Sequence, residues 1–143
     1  MIRKMRIDDV AIIWDIDQER LRTKWNKTLY KQELLDLNTV SYVYESEGLV
    51  VGYIMCKHIG ETSDILQIAV LEDYDGQGIA TKLFDQAWQD LQEMGSNEIL
   101  LEVYEKNKAA IGFYENLGFK KIYMRKNYYG MRKHAHVMRL RLE

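Results

Sequence analysis

Leu66-Gln67-Ile68-Ala69-Val70-Leu71-Glu72-Asp73-Tyr74-Asp75-Gly76-Gln77-Gly78-Ile79-Ala80-Thr81 carries an apolar run into a glycine-marked turn and out into a helical pattern. The run Asp64–Leu71 is mostly apolar rather than alternating, which reads as a central buried strand. Past Gly78, the residues Ile79, Leu83, Ala87, Trp88 and Leu91 recur at helical spacing as one apolar stripe, and Gly95 ends it. Glycines at alternate positions, Gly76 and Gly78, leave the backbone free to approach a ligand at this strand-to-helix junction. The first-turn N–H groups of the helix lack internal acceptors and, with the helix dipole, suit a phosphate or pyrophosphate. A tight turn that binds nothing would use the same residues. A Walker-type loop would end in Gly-Lys-Ser/Thr, which is absent. A Rossmann fingerprint would open the first strand-to-helix unit with three glycines, whereas this junction lies mid-chain.

Downstream, Glu98–Tyr104 reads as a strand, and Asn107 caps a helix that runs through Leu117 and stops at Gly118. Lys120–Arg125 and His136–Leu142 alternate as strands and leave Lys126–His134 as a loop. Upstream, Asp8 is positioned to cap a helix over Asp9–Gln18, with Val10, Ile13, Trp14 and Asp17 at helical spacing. A second helix fits Lys27–Leu37, with Leu29, Leu34 and Leu37 on one side. Val40–Glu45 and Leu49–His58 read as a hairpin turning at Glu47-Gly48. The order β-α-α-β-β-β-α-β-α-β-β predicts a mixed α/β (α+β) domain.

The chain has 143 residues, 47% hydrophobic and 29% charged, which suits one folded domain over 1–143 and excludes a disordered or fibrous protein. Cys56 is the single cysteine, so no disulfide framework is expected. No apolar run approaches the ~18 residues of a membrane span, and no cleavable leader stands at the start, so a cytoplasmic protein without membrane contact is expected. A net charge of −2 argues against a dedicated nucleic-acid binder. The charge is nevertheless uneven: Lys120–Glu143 carries eight bases and one acid, residues 1–119 twelve bases and 21 acids. That basic segment suits either an anionic partner, RNA included, or a solvated strand face.

Taken together, these elements resemble the GNAT N-acetyltransferases, whose phosphate loop runs Gln/Arg-x-x-Gly-x-Gly/Ala. Gly78 and Ala80 keep that pattern, while Asp75 stands where Gln or Arg is usual. Within the family the chain is most similar to the RimI-type ribosomal-protein alanine N-acetyltransferases. The similarity is carried by Leu101-Glu102-Val103-Tyr104, Asn107, Ala110-Ile111, Phe113 through Phe119, Arg125-Lys126-Asn127-Tyr128-Tyr129, Trp25, Gln32-Glu33-Leu34 and Val51-Gly52-Tyr53-Ile54. The resemblance implies a splayed central sheet that binds acetyl-CoA as cosubstrate. It assigns the pyrophosphate to the main chain of Gly76, Gln77, Gly78, Ile79, Ala80 and Thr81. It assigns the pantetheine arm to the main chain of Ile68, Ala69 and Val70, with Asn107 as a further cofactor contact. The implied acceptor is a protein N-terminus, a ribosomal protein among the candidates.

Acetyl transfer from a thioester to an amine needs a proton acceptor for the amine and a proton source for the departing thiolate. The resemblance gives the first role to Glu102 and the second to Tyr114, twelve residues on. Flanked by Leu101 and Val103, Glu102 is expected to have a raised pKa; an ordinary surface Glu on an alternating strand is the plain alternative. For Tyr114 the plain alternative is an aromatic packed beside Phe113 and Phe119. An α-amine of pKa about 7.7–8.0 is easier to deprotonate than a lysine at about 10.4, which favours an N-terminal acceptor. A lysine side chain or small amine on the same scaffold, or a non-catalytic acyl-CoA or RNA-binding module, are the other readings. Cys56 reads as a small buried hydrophobe, and His58, His134 and His136 lack a metal-binding pattern. His134 departs from the family, which usually has Asp there.

Overall fold

The structure is a computed structural model that describes residues 1–142. Seven strands form one sheet in the order β1-β2-β3-β4-β5-β7-β6: β1 (Ile2–Lys4), β2 (Thr39–Ser46), β3 (Leu49–Ile59), β4 (Thr62–Val70), β5 (Glu98–Tyr104), β6 (Lys120–Arg125) and β7 (Ala135–Arg141). All neighbours are antiparallel except β4 and β5. That parallel junction covers only Thr62, Ser63 and Asp64 against Glu98, Ile99 and Leu100. Beyond it the two strands continue without pairing, so the sheet opens into a V.

Helices α3 (Ile79–Glu93) and α4 (Lys108–Leu117) cover one face, as the apolar stripe requires. Leu83, Ala87 and Leu91 pack there on Ile54, Ile99, Leu101 and Met138. Helices α1 (Val10–Arg20) and α2 (Lys27–Leu34) cover the other face over β2 to β4, where Ile13, Ile16 and Tyr30 meet Val43, Tyr53 and Met55. The second core stops at β4. The corresponding face of β5, β7 and β6 carries no helix.

The element order agrees with the sequence reading, and the ends of the first two helices differ from it, the first running on to Arg20 rather than Gln18. The first helix is entered through a 3-10 turn, Ile7–Asp9, and Asp8 caps nothing. Asp9 instead ties the turn down: its carboxylate accepts the Arg6 N–H at 2.7 Å and a bidentate pair from Arg3 at 2.8 Å. The second helix ends at Leu34 rather than Leu37, and Leu37 is 95% exposed. Its buried anchor is Tyr30, whose hydroxyl has buried partners that an apolar-periodicity argument does not score.

Candidate active site

The turn after β4 leaves backbone donors unpaired. Leu71 (φ −55°, ψ 141°) leads into a 3-10 turn, Glu72–Tyr74. Gly76 and Gly78 then hold φ of +78° and +76°, the left-handed region where a Cβ is strained. Space around both is open, so backbone conformation rather than crowding selects glycine. Gly78 is the N-cap of α3 and brings no side-chain cap, which leaves the amides of Ile79, Ala80 and Thr81 without an i−4 acceptor. Gln77 is exposed between the glycines. Asp75 is held by Arg20 from the end of α1 at 3.2 Å, so its charge meets a cation in the same loop region.

From the loop back toward the V, Ile68, Ala69 and Val70 pair with Ile54, Tyr53 and Gly52 of β3 on one side only. Their other edge faces the gap left by β5, where main-chain donors and acceptors stand free for an extended ligand arm. These free amides and the unpaired strand edge fit a pyrophosphate with a long, amide-bearing arm.

Across the gap, Glu102 projects from β5 on the helix-free face. Leu101 and Val103 are buried at 2% and 5% exposure on the opposite face, so the expected apolar surroundings do not form around the carboxylate. What faces it is the Arg125 guanidinium at 3.0 Å. The Tyr129 hydroxyl donates to the Glu102 carbonyl at 3.2 Å and rests edge-on against Tyr104. Arg125 in turn stacks over Tyr128 at 4.4 Å. Thus the segment that follows β6 folds back over the open face.

Tyr114 lies on α4 between Phe113 and Phe119, as the packing alternative proposed. Burial first, and then the neighbouring Tyr129 and Cys56, push its phenol up from the ordinary value. Asn107 caps α4 by accepting the Ala110 N–H at 3.1 Å. Its Nδ2 is left for another partner.

Cys56 is fully buried, and burial pushes its thiol up, which agrees with a structural cysteine. His134 Nδ1 accepts the Asn127 N–H at 2.9 Å and so closes the loop between β6 and β7. Among the described residues no group of three or more His, Cys, Asp or Glu is placed to hold a metal, and no helix is long and apolar enough to cross a membrane. A cavity of about 680 Å3 lies between β2 and the end of α3, lined among others by Lys4, Tyr42, Asp90 and Met94. It shares no residue with the V.

Sequence reasoning missed Arg20, Arg125 and Asp64 at this site. Asp64 was absorbed into the apolar run, although its neighbours Ser63 and Ile65 are buried and Asp64 is not.

A model described as "Acetyltransferase (GNAT) family" matches residues 7–119. An N-alpha-acetyltransferase of Saccharolobus solfataricus is 32% identical, with 96% of this chain and 90% of that one covered. A [ribosomal protein bS18]-alanine N-acetyltransferase of Haemophilus ducreyi is 28% identical over 99% of this chain and 100% of its own. Among solved structures, the NatC complex bound to Gag peptide and CoA contains a chain 26% identical to this one, with a TM-score of 0.88 and coverage of 100% and 98%.

Proposed function

Because the chain belongs to the acetyltransferase (GNAT) family, we propose that it moves an acetyl group from acetyl-CoA to the α-amino group of a protein N-terminus. N-acetyl transfer is the activity named for the relatives at 28–32% identity, one an N-alpha-acetyltransferase and one a [ribosomal protein bS18]-alanine N-acetyltransferase. The observation that carries the reading is the parting of β4 and β5 beyond Asp64 and Leu100, beside a loop of unpaired amides. A ribosomal protein that begins with Ala is the acceptor suggested by the name of the Haemophilus relative.

The amides of Gly76 to Thr81 bind the pyrophosphate, and the free edge of Ile68, Ala69 and Val70 orients the arm, with Asn107 Nδ2 as an added donor. Glu102 takes a proton from the amine nitrogen as the N–C bond forms. Tyr114 donates to the sulfur as the C–S bond breaks. Because its phenol is pushed up, Tyr114 stays neutral and able to donate through the neutral pH range. Attack is direct, so no acyl-enzyme forms and Cys56 has no part in it.

The test is release of free thiol from acetyl-CoA by the purified protein. Turnover is expected with Ala-starting peptides, and much less with N-blocked lysine peptides or polyamines. No thiol release with any of them overturns the proposal.

A further inference from the structure

We propose that Asp64 is a second carboxylate of the acceptor site, binding the incoming ammonium and taking its first proton. This rests on the N-terminal acetyltransferase reading above and deepens it.

The reaction itself removes two protons from the amine nitrogen. A protonated amine, R–NH3+, has three N–H bonds and the amide product has one. The first proton must leave before the lone pair can attack; the second leaves from nitrogen after the N–C bond forms. One of the two is returned to sulfur as the thiolate departs, and the other goes to solvent. Glu102 serves for the second, and a carboxylate beside the entering ammonium can take the first.

Asp64 is placed for it. It occupies the last paired rung of β4 and β5, opposite Leu100, at the apex of the V. Glu102 stands two residues beyond Leu100 and therefore on the same face of β5. Ser63 and Ile65 point into the α3 side, where Ser63 is hydrogen-bonded to Ser96, so Asp64 points to the opposite face, at the border where the cover of α1 and α2 gives way to the open face of β5.

Three cations share its face and none is paired with it; Arg139 of β7, opposite Leu100, makes no ion pair among the described residues. On β3, Lys57 is the cross-strand partner of Asp64, but its ammonium is drawn to Glu33 and Asp36 at 3.2 Å each. On β6, Arg125 is taken by Glu102. Tyr128 and Tyr129, from the loop after β6, bring phenols and no charge. Among the described residues Asp64 has no ion pair. Partial burial first, and then the charge of Glu102, push its carboxyl above the ordinary value, and Tyr128 is raised by burial, Glu102 and Asp64. The register puts Asp64 and Glu102 on one side of the cleft, and Arg125, paired with Glu102 and stacked on Tyr128, brings that phenol to the same side. An ammonium entering there meets one carboxylate already neutralised and one that is not.

The experiment is Asp64→Asn, read by steady-state kinetics from pH 6 to 10 and by calorimetric titration of CoA and of an Ala-starting peptide. Expected are a KM for the peptide at least tenfold higher at pH 7, unchanged CoA affinity, and recovery toward wild type near pH 9.5, where the amine is already neutral. Asp64→Glu should restore part of the peptide affinity. An N-formyl peptide, which has no ammonium, should bind both forms alike. Wild-type KM and pH profile in Asp64→Asn, with activity lost in Glu102→Gln, overturn this inference alone. A wild-type protein that neither binds nor acetylates free N-termini overturns it together with the proposed function.

Discussion

The Arg20 guanidinium lies 3.2 Å from the Asp75 carboxylate and ties the last turn of α1 to the loop that opens α3. In a loop proposed to bind the pyrophosphate, an acid opposes the ligand's charge, and Arg20 offsets it. Both side chains are partly solvated, at 31% and 54% exposure, so the effect on affinity is modest. Arg20→Ala is expected to weaken CoA binding by about 3- to 10-fold, and Asp75→Asn, which frees Arg20, to strengthen it by a similar factor. Calorimetry at low and high salt checks both, since screening should shrink either change. Equal affinities in the two variants would mean that neither side chain reaches the ligand's field.

Tyr114→Phe removes one hydroxyl and keeps the ring packed against Phe119. Loss of a general acid is expected to lower kcat by about 10²-fold, with CoA affinity and Tm nearly unchanged. The phenol is pushed up from about 10, so its ionisation cannot produce a falling limb in kcat below that pH. A pH profile flat from about 8 to 10 in the wild type agrees with this role. A kcat in Tyr114→Phe within twofold of wild type would remove Tyr114 from the chemistry.

Much of this was legible in the sequence because local periodicity and chain punctuation agree. Glu98–Tyr104 and Lys120–Arg125 lie where alternation puts them, and Gly118 closes α4 in the left-handed conformation. What was hidden depends on side chains from distant elements. The surroundings of Glu102 cannot be read from Leu101 and Val103, which face the other way; they come from Arg125, 23 residues on. Leu37 looked like part of an apolar face because spacing alone does not register that the helix has already ended at Leu34. Asp64 was hidden because the reading of an apolar run ignores which face each residue takes.

Acid stability should report on Asp9. Burial pushes its carboxyl up, but the Arg3 guanidinium and the Arg6 N–H outweigh burial and hold it below the ordinary carboxylate value. A depressed folded-state pKa contributes stability that is complete above the unfolded value, near pH 4, and disappears as pH falls through the folded one. Asp9→Asn is therefore expected to lower Tm at pH 7, by an amount on the order of 5–10 °C for about 2 kcal/mol. The gap between variant and wild type should close as pH drops below about 4. A gap independent of pH would assign the loss to packing at the 3-10 turn instead of to charge.

The segment between α1 and α2 is fastened from inside. The Asp17 carboxylate, fully buried, accepts from the Tyr30 hydroxyl at 2.5 Å, the Thr23 hydroxyl at 2.6 Å and the Thr23 N–H at 2.9 Å. Gln67 Nε2 from β4 reaches the Thr23 hydroxyl at 3.2 Å and the Asp17 carboxylate at 3.4 Å, and the Tyr30 and Tyr53 hydroxyls lie 2.6 Å apart. Gln67 and Asp64 are on the same face of β4, so this network anchors the connection along the side where the acceptor is proposed to enter. A buried carboxylate with no cation relies on these donors, and the loss of one costs about 1–3 kcal/mol. Tyr30→Phe, which keeps the ring against Trp25, is expected to lower Tm by several degrees and raise the KM for peptide, while CoA affinity stays unchanged. Gln67→Leu should leave the carboxylate its three shorter bonds and cost less stability, yet raise the peptide KM comparably if anchoring to β4 is what matters. A peptide KM that tracks Tm across the two variants, rather than contact with β4, would reduce the network to a stability element.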